Sequence, residues 1–97
     1  MVEVRHRAGY ATGLTIAAAG HATGSVECCA AISALLGAWS TVCDERNGEV
    51  TEEPGEYRGH CRDGVEQYAA YRCVLGGLRR IEETAPEYIR VLDWPLA

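Results

Sequence analysis

Two residue types capable of nucleophilic chemistry stand close together in this chain of 97 residues. His21 lies in Gly20-His21-Ala22, at the end of the apolar run Leu14-Thr15-Ile16-Ala17-Ala18-Ala19. Cys28 and Cys29 open a second apolar run, continuing as Ala30-Ala31-Ile32-Ser33-Ala34-Leu35-Leu36. A cysteine attacks as its thiolate, and an imidazole within hydrogen-bond reach can take the thiol proton. The first turn of a helix favours that ionisation, because its free N–H groups and macrodipole stabilise negative charge. Most cysteines in soluble domains are simply small buried hydrophobes. The pair therefore acquires meaning only if a strand end and a helix start bring it together. Consecutive helical residues point about a quarter turn apart, so only one of Cys28 and Cys29 can face His21. Spacing alone does not say which.

The elements that would position them are legible in the hydrophobic pattern. Val2, Val4 and His6 alternate with Glu3, Arg5 and Arg7, the period of a half-buried strand over residues 2–7. Gly9 to Gly13 reads as a turn, and residues 14–19 as a more buried strand paired with the first. Gly20 permits a sharp bend and leaves room for a substrate backbone beside His21. Ser25 suits an N-cap and Glu27 the first turn of a helix running to about Thr41. Ile32, Leu35, Leu36 and Trp39 recur at helical spacing, with Ala30, Ala31, Ala34 and Ala38 between them. Such a helix is expected to be buried on most sides, between a sheet and another element or at a dimer contact.

Asp44 to Gly48 reads as a polar loop, and residues 49–61 as a hairpin turning at Pro54-Gly55, the signature of a type II turn. Its acidic residues Glu49, Glu52, Glu53 and Glu56 either protect a sheet edge from aggregation, the favoured reading, or face a basic partner. Asp63-Gly64-Val65-Glu66 matches a capping box ahead of a second helix reaching about Thr84. Tyr71, Val74, Leu75, Leu78 and Ile81 form its core stripe. Gly76-Gly77 within it costs roughly 2 kcal/mol against two alanines, which suggests close approach of another backbone. Pro86 ends the helix, and residues 88–92 form a last strand. The expected fold is an α/β two-layer sandwich, a mostly antiparallel sheet with two helices in the order β-β-α-β-β-α-β.

A chain of this length is one domain, residues 1–97. The net charge of −5 argues against nucleic acid as a partner and suits a basic protein substrate, although a solvated acidic surface accounts for it equally well. No run approaches the length of a membrane helix, and Met1-Val2-Glu3-Val4-Arg5 is not a leader peptide, so no membrane role and a cytoplasmic location are expected. The five cysteines contain no C-x-x-C pair, which disfavours zinc, and the cytoplasmic reading disfavours disulfides. Cys43 and Cys73 read as buried packing residues, and His6 as a packed core or edge histidine. His60 and Cys61 are adjacent on a strand and point to opposite faces, so they form no dyad.

Gly20-His21-Ala22 followed by Cys29-Ala30-Ala31-Ile32-Ser33-Ala34-Leu35 resembles the ribosomal-processing cysteine protease family, Prp. Val74-Leu75-Gly76-Gly77-Leu78, then Ile81-Glu82-Glu83 and Pro86-Glu87-Tyr88, resemble that family's last helix and strand, and the likeness spans most of the chain. The resemblance implies His21 as base and Cys29 as nucleophile. It also implies Gly20, Ala22 and Ser33 at the substrate, no metal or other cofactor, and a homodimer. The implied activity is a thiol endopeptidase that removes the N-terminal extension of a bacterial large-subunit ribosomal protein. Related proteins of phages and prophages suggest capsid or scaffold processing as an alternative. A noncatalytic protein-binding module that kept the fold is a third reading. Two departures stand out. The stretch from His21 to Cys29 is several residues shorter than the family's loop, and the Asp that tends to precede the nucleophile is missing from Val26-Glu27-Cys28. Ser25 or Glu27 would have to serve in its place.

Overall fold

The computed structural model describes residues 1–45 and 48–94. The chain runs β1 (Val2–Gly9), β2 (Gly13–Gly20), α1 (Val26–Glu45), β3 (Glu49–Glu53), β4 (Glu56–Cys61), α2 (Val65–Thr84) and β5 (Ile89–Asp93). The order is the one expected from the hydrophobic pattern. The five strands form one sheet in the order β3-β4-β2-β1-β5. Only β1 and β5 pair in parallel; the other three pairings are antiparallel.

Register follows from the alternation. Val2 and Val4 pair with Gly20 and Ala18 on β2, and with Ile89 and Val91 on β5. Their face of the sheet meets the helices, and their neighbours Glu3 and Arg5 project from the other face. β2, with Leu14 and Ile16 fully buried, lies between β1 and β4. Trp39 of α1 is also fully buried, and its Nε1 donates to the Gly59 carbonyl at 2.8 Å. A Cβ at Gly59 would stand 2.7 Å from the indole, so glycine lets α1 settle on β4. Tyr71, Val74, Leu75 and Leu78 bury the stripe of α2 as expected. On the open face, Trp94 lies beneath the guanidinium groups of Arg7 and Arg58, at 4.7 and 5.3 Å.

Several local expectations need correcting. α1 runs to Glu45, so only Gly48 and the undescribed residues 46 and 47 remain of the loop expected over 44–48. Only Ile32, Trp39 and Cys43 of α1 are buried, while Ala30, Ala31, Ala34 and Ala38 are exposed. The helix is therefore one-sided in the monomer rather than buried on most sides. By length and composition α1 could also cross a membrane, with a mean hydropathy of 1.6. This departs from the expectation that no run approaches that length; the Trp39 face of the helix packs on the sheet, and only 22% of the apolar stretch is buried.

Asp63 does not cap α2. Gly64 is the N-cap, in extended backbone and without a side-chain cap bond, and the Gln67 side chain occupies the space a Cβ there would need. Gly76-Gly77 does not meet another backbone. Gly76 faces open space, and a Cβ on Gly77 would stand 2.9 Å from both methyl groups of Leu35 on α1. Cys73 is exposed rather than buried, because it falls off the stripe of α2, whereas Cys43 and Cys61 are fully buried. His6 is a packed residue, as expected, on an interior strand and not at an edge: its Nδ1 lies 2.9 Å from the Tyr71 hydroxyl and its Nε2 accepts from Arg79 at 3.3 Å. His60 turns to the Thr15 hydroxyl at 2.7 Å while Cys61 enters the core.

Candidate active site

His21 is placed by the abrupt end of β2. Gly20 adopts φ +98°, and the Met1 carbonyl fills the space its Cβ would need. Only glycine takes that backbone conformation without strain. The Gly20 N–H donates to the Gly55 carbonyl at 2.9 Å, and the Met1 nitrogen donates to the His21 carbonyl at 2.8 Å. The backbone on either side of the imidazole is thus tied to β1 and to the β3–β4 turn.

Cys29 is placed by the cap of α1. Ser25 Oγ accepts from the Cys28 N–H, and the Ser25 carbonyl accepts from the Cys29 N–H, each at 3.2 Å. Ser25 is the N-cap read from the sequence, and Cys29 stands just inside the first turn, where the helix field is strongest. The quarter turn between the cysteines separates them. Cys28 is half-buried against the core, while Cys29 is exposed and lines a cavity of about 420 Å³ together with His21.

Gly20 and Ser33 line the same cavity; Ala22 does not, and its side chain is buried. Ile32, Leu36 and Tyr57 give the cavity an apolar wall. Ser25 and Glu27, the two possible substitutes for the missing Asp, are not among its lining residues. The Cys28 and Cys29 amides are already committed to Ser25. Neither is a free donor toward the cavity.

The third wall is the β3–β4 turn, which the sequence reading left out of the site. Glu52, Glu53, Pro54, Gly55 and Glu56 all line the cavity. The Pro-Gly turn itself was legible, and Gly55 has the φ of +78° that a type II turn requires at that position. What was not legible is the pairing of β4 with β2, through Ala19 and Glu56, which carries the turn to His21.

The remaining thiols have different surroundings. Burial pushes Cys43 up to about 12 and also raises Cys61. Buried thiols of this kind are inert to alkylation. Cys73 is exposed on α2 and is not among the residues lining the cavity. Among the described residues no three His, Cys, Asp or Glu side chains gather as metal ligands.

No family model matches the chain, and no curated protein matches it by sequence. Solved structures do. The essential ribosomal processing protease Prp from Staphylococcus aureus, in complex with a covalently linked product peptide, matches with TM-score 0.82 and 20% identity, over 97% of this chain and 100% of that one. The same protease with a substrate peptide matches with TM-score 0.81 and 20% identity, at the same coverage. SMU.848 from Streptococcus mutans matches with TM-score 0.71 and 19% identity, over 96% of this chain and 93% of that one. The chain has the fold of the ribosomal processing protease Prp, the family its two motifs resemble.

Proposed function

We propose that this protein is a cysteine endopeptidase of the Prp type, acting through His21 and Cys29. The observation that carries the proposal is a single cavity, in a Prp-like fold, lined by both side chains. In the proposed reaction His21 takes the Cys29 thiol proton, and the sulfur attacks the scissile carbonyl. The tetrahedral oxyanion collapses, and His21 returns the proton to the departing amine. The remaining thioester is hydrolysed by water that His21 deprotonates, releasing the carboxylate product and the free thiol. No metal or cofactor enters these steps. The proposed substrate is the N-terminal extension of a large-subunit ribosomal protein, and the proposed form is a cytoplasmic homodimer. Neither nucleic acid nor membrane is a proposed partner.

Phage capsid or scaffold processing is a second reading. Its support is the short connection between β2 and α1, only His21 to Ser25, where a gate over the substrate would lie. Two peptides separate the readings. One carries the host ribosomal protein's N-terminal extension, the other the corresponding region of a neighbouring phage capsid protein. Cleavage of the first alone supports ribosomal processing, and cleavage of the second alone supports capsid processing. If folded wild-type protein cuts neither and Cys29→Ala binds partners unchanged, the protein is a noncatalytic binding module.

A further inference from the structure

We infer that Gly55, at the tip of the β3–β4 hairpin, is a positioning residue for the His21 imidazole; the inference rests on the His21–Cys29 reading. A dyad needs its imidazole held; neither Ser25 nor Glu27 lines the cavity, and the carboxylates that do, Glu52, Glu53 and Glu56, belong to the same β3–β4 hairpin as Gly55. Gly55 of that hairpin lies on the side of the ring where a side chain would crowd it. A Cβ on Gly55 would stand 3.0 Å from His21 Nε2, 3.6 Å from Cε1 and 3.8 Å from Cδ2. The missing Cβ of Gly55 therefore leaves room for the Nε2 edge of the ring.

The contact is fixed from both partners. The Gly20 N–H to Gly55 carbonyl bond, 2.9 Å, joins the residue before His21 to the residue behind its ring. The register of β2 on β4, Ala19 against Glu56, sets the height of the turn along β2. Two independent requirements thus converge on glycine at this position. The turn takes φ +78°, and a methyl here would press on Nε2 and shift the exposed imidazole by a few tenths of an ångström. Turn formation alone would tolerate asparagine, which visits this backbone region more readily than other residues. Ring placement would still be disturbed, because asparagine carries the same Cβ.

The test uses Gly55→Ala and Gly55→Asn in the full chain, with His21→Ala as reference. Iodoacetamide labelling of Cys29 is followed against pH by peptide mapping, with exposed Cys73 as internal standard. Peptide cleavage gives kcat and KM. Both Gly55 variants are expected to lower Cys29 labelling at neutral pH toward the His21→Ala level and leave Cys73 unchanged. kcat should fall about 10- to 100-fold with KM within about threefold, the scale of a misplaced catalytic group. If both variants keep wild-type labelling and kcat while His21→Ala loses them, the inference is overturned and the dyad stands. If His21→Ala changes neither readout, the dyad reading falls and the inference with it. Wild-type protein gives a check that needs no variant to fold. A nuclear Overhauser contact between the Gly55 α-protons and the His21 ring is expected, and its absence overturns the placement.

Discussion

At the residue scale, the chemistry turns on which side chains water and reagents can reach. Cys29 and Cys73 are exposed, Cys28 is half-buried, and Cys43 and Cys61 are closed off. Exposure alone would make Cys29 and Cys73 equals. Only Cys29 shares its cavity with His21, the proposed base for its thiol proton. Iodoacetamide near neutral pH is therefore expected to label Cys29 first, and faster labelling of Cys73 or Cys61 would count against the site. His6 gives a second prediction at this scale. Burial, followed by the charge of Arg79, holds its pKa below the ordinary 6.5, with Asp93 opposing. The unfolded chain then binds the proton more readily than the folded one. The stability that His6 contributes is complete above about pH 6.5 and is lost as pH falls through its lower folded value. Urea unfolding between pH 8 and 5 should show this loss, and His6→Gln should flatten it; an unchanged slope in the variant would assign the loss to other groups. The Cys28/Cys29 ambiguity could not be resolved from spacing, because it depends on which side of α1 meets the sheet. That face is set by Trp39 and Ile32 together, a tertiary fact.

At the element scale, both helix starts were visible as local signals, but only one worked as read. Ser25 caps α1 through its own hydroxyl. Ser25→Ala should cost about 1 kcal/mol in stability, the usual loss for a hydroxyl cap. Because the cap also sets the first turn, the same variant should slow Cys29 labelling. Chemical denaturation and peptide mapping read the two effects, and an unchanged midpoint would show the cap bond to be idle. The capping box at Asp63 failed because the helix begins one residue later than the motif implied, with Gly64 at the cap and Gln67 folded over it. The two hairpins, β1 with β2 and β3 with β4, were legible from their turns, but how they join and where β5 adds were not. Alternation marks a strand and its buried face, but the pairing of β2 with β4 depends on contacts distant in sequence. That pairing is what brings the acidic turn to the cavity, so the third wall of the site escaped a reading that had identified the turn correctly.

At the scale of the whole molecule, the outer face of α1 is the feature the monomer leaves unexplained. Its alanines gave the expectation of a helix buried on most sides, yet they stand in solvent. The proposed homodimer is one arrangement in which such a face would be covered. Sedimentation is expected to give twice the chain mass of 10.5 kDa, and a monomer at micromolar concentration would remove the dimer from the account. The layered architecture and element order were legible because each depends on local periodicity and turn chemistry. The central claim, that one cavity joins His21 to Cys29 for peptide cleavage, is tested most directly by a matched pair of variants. Purified Cys28→Ala and Cys29→Ala are assayed on the ribosomal and capsid peptides beside wild type. Cys28→Ala should retain most of the wild-type cleavage, and Cys29→Ala should lose nearly all of it. Equal loss in both, or cleavage that survives Cys29→Ala, would contradict the account.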